Sequence, residues 1–453
     1  MSEVAVEAAR RWPAYRAIWR WHFYAGLFCI PFVLWLATTG AIYLFKPQID
    51  AFIDRPYDSL SYNGAPASVQ AQVAAAVAAL PSSSLVAYEL PTSSHSAARV
   101  LVNHGGDNYR VYVHPQSLQI LKTIRDEDRL MRVIFHLHGD LLIGDRGSLL
   151  VELAASWAIV MILSGLYLWW PRNAVGVAGV LYPRLGGGRR FWRDLHGVVG
   201  FWVSAFALFL LVSGLPWTQF WGANFKAVRQ LGSAVEVRQD WSGGGKAKID
   251  RAAMSAGGEH DHHQHGAGIP HQADPGAIDR VVASVAALQL APPVLVVPPR
   301  NVGANWSARS DAQNRPLRVS LQVDGASGAI VQRQDFAQRP LLDRIVGTGV
   351  AAHEGQLFGW FNQVLGVLTA LGLILLCVSA LIMWWMRRPS SVLGAPLPLS
   401  QPRFAHGFIA LLVGLGVFLP MLGVSMIAVL LVERLLLRRL PRAQTFLGLR
   451  QPA

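Results

Sequence analysis

Four histidines stand at matched places in this 453-residue chain, and they are the residues whose type and spacing could do chemistry. His22 opens HFYAGLFCIPFVLWLATTG and His196 opens HGVVGFWVSAFALFLLVSG; each run closes on a hydroxyl residue plus glycine, the glycine eighteen positions after the histidine. His138 opens HGDLLIG and His353 opens HEGQLFG, and each is followed thirty-one residues on by a tryptophan pair, Trp169-Trp170 and Trp384-Trp385. Histidine is the commonest metal ligand among side chains, through a neutral imidazole nitrogen. Zinc would want four protein ligands, or three plus water, and no Cys, Asp or Glu recurs at matched positions. Two imidazoles on opposite faces of a porphyrin, in contrast, satisfy haem iron with no further ligand. The expected cofactor is therefore haem, two groups in all, with His138 and His353 as one axial pair and His22 and His196 as the other. His406, in FAHGF, is the alternative ligand to His22, or a residue that meets a donor; His136 is the alternative to His138. Histidines that only pack or sit at an interface, without a cofactor, are the competing reading.

The elements that position these residues are long apolar runs near 22–45, 149–170, 196–217 and 361–386, with a fifth at 407–432. About 20 apolar residues suffice to cross a hydrocarbon core of roughly 30 Å. The composition agrees: 52% hydrophobic and only 15% charged, where about 25% charged is usual for soluble proteins. The fold expected is a membrane α-helical bundle built on a duplicated helical hairpin. A duplicated hairpin packs around a pseudo-twofold axis along the membrane normal. That places one histidine pair towards each membrane face of a four-helix bundle, a setting that commonly holds cofactors. Glycines beside the histidines (Gly26, Gly139, Gly197, Gly200, Gly355, Gly359) leave room for a macrocycle or for helix packing. The tryptophan pairs read as interfacial belt residues, Glu152 as a hydrated interfacial carboxylate, and Pro31 as a kink in the first span. Pro420 and Gly423 interrupt the last run, so it is either a fifth span or a hairpin that returns Arg434, Arg438, Arg439 and Arg442 to the side they came from.

The net charge of +13 needs no nucleic acid, because the arginines cluster beside the spans: Arg10, Arg11, Arg16 and Arg20; Arg172, Arg184, Arg189, Arg190 and Arg193; Arg387, Arg388 and Arg403. By the positive-inside rule these segments are cytoplasmic and the long segments between them external, which in a bacterium means periplasmic. The first run is too long for a signal-peptide core and has no A-x-A-like site. Cys29 and Cys377, both inside expected spans, exclude a cysteine-held iron–sulfur cluster and a disulfide framework. Each external segment reads as a helix followed by four short strands: 68–80, then 85–90, 98–103, 109–114 and 118–124; 277–288, then 293–297, 305–309, 317–323 and 329–334. Between them lies a Gly/Ala/polar insertion, 242–276, whose His260, His262, His263, His265 and His271 could chelate a metal or merely be solvated.

The start WHFYAGLFCIPFVLWLATTGAIYLFKP, the LHGDLLIG and LHGVVGFW motifs and the YLWWPR and WWMRRP ends resemble the PepSY-associated transmembrane family. The resemblance covers about residues 15–440 and implies that the two external α+β segments are PepSY-like domains. It also implies a dihaem protein of the inner membrane that passes electrons outward to reduce ferric siderophore and release Fe(II). The expected order is a cytoplasmic arm (1–20), helix 1 (21–46), PepSY-like domain 1 (47–135), histidine segment and helix 2 (136–171), and a basic cytoplasmic loop (172–195). It continues with helix 3 (196–218), PepSY-like domain 2 with the insertion (219–350), histidine segment and helix 4 (351–386), a loop (387–405), the last span or hairpin (406–437) and a tail (438–453). No flavin or nicotinamide domain is apparent, so the electron would come from a separate cytoplasmic donor or from quinol. Two other functions compete: a non-enzymatic envelope protein that binds or regulates a peptidase or senses a signal, and copper or zinc handling through the insertion.

Overall fold

The structure, a computed structural model, describes residues 14–172, 176–231, 274, 276–299, 301, 303–389, 392–396 and 406–449. In chain order it contains α1 (Tyr15–Tyr43), α2 (Lys46–Asp58), α3 (Val69–Ala78), β1 (Ser84–Glu89), β2 (Ala98–His104), β3 (Asp107–Val113), β4 (Ile120–Arg125) and α4 (Leu130–Gly139). Next come α5 (Asp145–Trp169), α6 (Gly188–Gly214), α7 (Phe220–Leu231), α8 (Ala277–Ala286), β5 (Val294–Val297), β6 (Trp306–Ser310), β7 (Val319–Val323) and β8 (Ile330–Asp335). The chain ends with α9 (Leu341–His353), α10 (Trp360–Trp385), α11 (His406–Phe418), α12 (Pro420–Leu435) and α13 (Pro441–Phe446). It divides into a helical unit (1–41, 138–237, 365–453) and a sheet unit (42–137, 238–364).

Five helices are long and apolar enough to cross a membrane: 15–43, 145–169, 188–217, 360–385 and 420–439. Their surfaces carry Trp35, Trp202, Phe206, Leu368 and Leu371 largely uncovered, as lipid-facing helices require. This is a multi-pass membrane protein. Pro31 lies inside α1.

The final apolar run is two helices of 13 and 16 residues that turn at Leu419. At 1.5 Å per residue each is shorter than a core of roughly 30 Å. A Cβ built on Gly423 would stand 2.5 Å from the Gly416 carbonyl oxygen, so only two glycines let these backbones meet. The tip reaches the middle of α5, where Trp157 Nε1 donates to Ser425 Oγ (3.0 Å), and Trp221 Nε1 donates to the Phe418 carbonyl (3.0 Å). Leu419 and Leu422 are fully covered there, which satisfies the demand that irregular backbone at membrane depth be buried in protein. Both ends come back to the start of α1: Phe408 packs on Trp21, Arg20 donates to the Gly448 carbonyl (2.8 Å), and Tyr24 donates to that of Leu447. Glu152 is not the hydrated carboxylate expected. It is 1% exposed and accepts from the backbone N–H groups of Phe220 (2.8 Å) and Trp221 (3.0 Å), neutralising the orphan donors at the start of α7.

In the sheet unit the two expected α+β segments share one sheet. The order is β4-β3-β2-β1-β5-β6-β7-β8, antiparallel throughout, and the halves join where Tyr88 and Glu89 of β1 face Val296 and Leu295 of β5. Alternation decides which face is which. Val100, Val102, Val111, Val113, Val296 and Leu321 turn towards α3 and α8 and bury one common core with Val73, Ala76, Val281 and Val285. Asp279 of α8 accepts from Val69 N–H at the start of α3 (2.6 Å), tying the two halves together. The opposite face of β1–β3 carries charge: Arg99 pairs with Asp58 of α2 (2.7 Å) and Arg110 with Glu89.

Candidate functional site

His22 on α1 and His196 on α6 face each other, with ring centroids 6.4 Å apart and planes at 83°. His22 Nδ1 lies 2.9 Å from Ser164 Oγ of α5, and His196 Nδ1 lies 3.0 Å from Ser379 Oγ and 3.1 Å from the Leu376 carbonyl, both of α10. The serine protons are committed elsewhere, Ser164 donating to the Met161 carbonyl and Ser379 to that of Leu376 (3.0 Å each). Each serine therefore accepts from the imidazole, which assigns the proton to Nδ1 and leaves the lone pair on Nε2. Neither Nε2 has a hydrogen-bond partner among the described residues.

This is the arrangement that a metal-bound histidine uses: one ring nitrogen oriented by a fixed acceptor, the other free to ligate. With an imidazole nitrogen about 2.0–2.1 Å from a metal, two rings on opposite sides of one ion have centroids roughly 6 Å apart, close to the spacing here. The chemistry and spacing of His22 and His196 thus fit residues that would hold haem iron between them. Gly165 follows Ser164 for a steric reason, since a Cβ there would sit 3.1 Å from His22 Cε1.

His138 shares the hydroxyl anchor on Nδ1. It occupies the last turn of α4, its Nδ1 lies 3.1 Å from Thr39 Oγ1 of α1, and a Cβ on Gly40 would stand 3.1 Å from its Cε1. Thr39 in turn donates to the Trp35 carbonyl (2.9 Å). The turn after His138 holds Leu141 and Leu142 at φ of +54° and +59°, a left-handed pair costing of order 1–3 kcal/mol each, and Leu142 N–H bonds back to Asp140 (3.1 Å). His136 Nε2 instead bonds Glu127 (2.9 Å). His353 is the last residue of α9, in the sheet unit. His406 begins α11 with its side chain exposed, whereas His196 is the imidazole that faces His22. His260, His262, His263, His265 and His271 lie outside the described residues. Among the described residues no group of three or more His, Cys, Asp or Glu could hold a metal ion.

Compared with known families, the chain matches the one described as PepSY-associated TM region over residues 19–387. It belongs to that family. No curated protein matches it.

Within this PepSY-associated chain the residues that the sequence analysis missed are Ser164 and Ser379. Each stands five positions before its tryptophan pair, in MILSGLYLWW and LCVSALIMWW, so the repeat that aligns the histidines also aligns their anchors. A serine in an apolar helix is easily passed over as a packing residue; the signal was its recurrence at one offset. The tryptophan pairs are also divided alike. Trp169 Nε1 donates to the Val180 carbonyl (3.3 Å) and Trp384 Nε1 to that of Leu393 (2.8 Å), while Trp170 and Trp385 face outward.

Proposed function

We propose that this PepSY-associated protein is a haem b electron carrier of the bacterial inner membrane that reduces ferric siderophore on the periplasmic side and so releases Fe(II) for uptake. The observation that carries the reading is the His22–His196 pair, two imidazoles 6.4 Å apart on neighbouring helices, each with Nδ1 committed to a serine. Haem iron supplies one-electron chemistry at a potential set by its ligands and surroundings. The chain's part is to hold two neutral imidazoles in one tautomer and to keep water out with apolar helices. A second haem at His138 and His353 is supported by the sequence repeat and, on the His138 side, by the same hydroxyl anchor at Thr39. By the positive-inside rule the arginine clusters support a cytoplasmic His22–His196 end, where a separate donor or quinol would deliver the electron. Reduction frees the metal because hard oxygen donors hold Fe(II) less tightly than Fe(III).

The test is a pyridine haemochrome assay on the purified full-length protein. The wild type is expected to contain haem b, His22→Ala and His196→Ala to lose about half of it, and the ferrous protein to be reoxidised by ferric siderophore. Purified protein without a Soret band would overturn the reading and favour an envelope protein without redox chemistry.

A further inference from the structure

Two arginines at one end of the helical unit lie side by side with no acid between them. Arg189, in the first turn of α6, donates to the Met386 carbonyl; Arg387, just past α10, bonds weakly to the Gly394 carbonyl (3.3 Å) and lies over the rings of Trp19 (4.9 Å) and Phe23 (5.6 Å) of α1. Neither makes an ion pair with a carboxylate among the described residues, and Arg387 Nε is buried without a partner. Like charges held together cost free energy unless something negative joins them. Burial and, after it, the charge of Arg189 push the Arg387 guanidinium down from its ordinary value, as they must when a half-buried cation has a second cation for a neighbour. Other arginines of the fold do meet a carboxylate, Arg184 with Asp194 (2.5 Å) and Arg99 with Asp58.

Position along the helices narrows which anion these two cations would suit. Arg189 precedes His196 by seven residues on α6, and Arg387 follows Ser379 by eight along α10. At 1.5 Å per residue both cations stand about 10–12 Å from the histidine level, displaced towards the same end because α6 and α10 run antiparallel. Trp19 and Phe23 flank His22 on α1, so the aromatic rings under Arg387 belong to the same helix face region as the ligand. A haem held by His22 and His196 would bring two propionate carboxylates, which Arg189 and Arg387 could bind. A planar guanidinium offers a carboxylate two parallel donors.

From this juxtaposition we propose that Arg189 and Arg387 form a carboxylate-binding site for the propionates of the haem held by His22 and His196. The inference rests on the haem reading above and adds the orientation of the ring, propionates towards the Arg189 end. A lipid phosphate would suit two guanidiniums chemically, so the test compares ligands as well as variants.

Purified apoprotein, wild type and Arg189→Gln/Arg387→Gln, is titrated with haem b and with its dimethyl ester, whose propionates carry no charge, in detergent and in vesicles with and without anionic phospholipid. The expected result is that the wild type binds the free-acid haem at least tenfold more tightly than the ester, that the double variant binds the two alike, and that Arg387→Lys recovers part of the preference. Equal binding of acid and ester by the wild type overturns the proposal without needing any variant. A double variant that weakens both haems equally also overturns it, marking the arginines as structural. So does an acid-over-ester preference that anionic lipid abolishes, which would give the site to phosphate. If the wild type binds neither haem, or if haem binding survives His22→Ala/His196→Ala, it is the ligand assignment that fails instead.

Discussion

At the scale of single residues the recurring unit is an imidazole laid on a hydroxyl residue, His22 on Ser164, His196 on Ser379 and His138 on Thr39, with a glycine beside the hydroxyl residue in two of the three, Gly165 and Gly40. The hydroxyl selects the tautomer and the small residue lets the ring approach the helix. Removing the acceptor frees Nδ1 and lets the proton reach Nε2, where it blocks ligation. Ser164→Ala is expected to weaken haem affinity 10–100-fold, the usual loss when a partner of a ligating histidine is removed, and Ser379→Ala to weaken it less, because the Leu376 carbonyl (3.1 Å) still accepts from His196 Nδ1. Haem transfer to apomyoglobin measures this, and threonine at either position should restore most of the affinity. A merely structural serine would lower thermal stability and leave transfer rates unchanged. The histidines were legible because two halves of one chain can be compared with each other. Glu152 was misread because its partners, the N–H groups of Phe220 and Trp221, come from a helix start about seventy residues away, and side-chain type gives no hint of such a cap.

At the scale of elements, periodicity carried most of the information. The strands and the helices α3 and α8 stood where the apolar pattern placed them, to within about two residues, whereas α1, α5 and α6 begin four to eight residues before their apolar runs. What periodicity cannot give is the partner of an edge. The pairing of β1 with β5, which turns two expected domains into halves of one sheet, rests on Tyr88–Glu89 meeting Leu295–Val296, and no local feature announces it. The attachment of α4, by contrast, is made by near neighbours in the chain. Glu127, in the turn after β4, accepts from both Arg132 (2.9 Å) and His136 (2.9 Å) of α4. The bond from His136, and then the charge of Arg132, hold the Glu127 carboxyl well below the usual carboxylate range against its partial burial. A carboxylate depressed by folding contributes stability above its unfolded pKa and loses it as pH falls towards the folded value. Glu127→Gln should therefore lower stability near pH 7 by no more than about 1 kcal/mol, the scale of a part-exposed pair. The difference from wild type should shrink steadily below about pH 4. Thermal melts of both proteins between pH 7 and pH 3 check this; a gap that widens on acidification would reassign Glu127.

At the scale of the whole molecule, the end of the chain decides how charge is distributed about the membrane. A single span over the last apolar run would deliver Arg434, Arg438, Arg439 and Arg442 to the side opposite Arg16 and Arg20, against the rule that positive loops stay in the cytoplasm. Here α11 and α12 turn at Leu419 and meet α5 at Trp157 instead of forming one straight run; after crossings by α1, α5, α6 and α10, a hairpin of that kind would return the arginines to the side where the chain started. Leu393 N–H bonds the Phe446 carbonyl (2.9 Å) and Arg20 bonds that of Gly448, so residues 446–448 sit at the start of α1. A fluorescent-protein fusion after residue 449 should then fluoresce and an alkaline phosphatase fusion should be inactive, with the opposite result for fusions in the sheet unit. Gly416→Leu/Gly423→Leu tests the cause. The backbones can no longer meet, the run straightens into one span, and the two C-terminal reporters should exchange signals. If they do not, the arginines rather than the glycine contact keep the end of the chain inside.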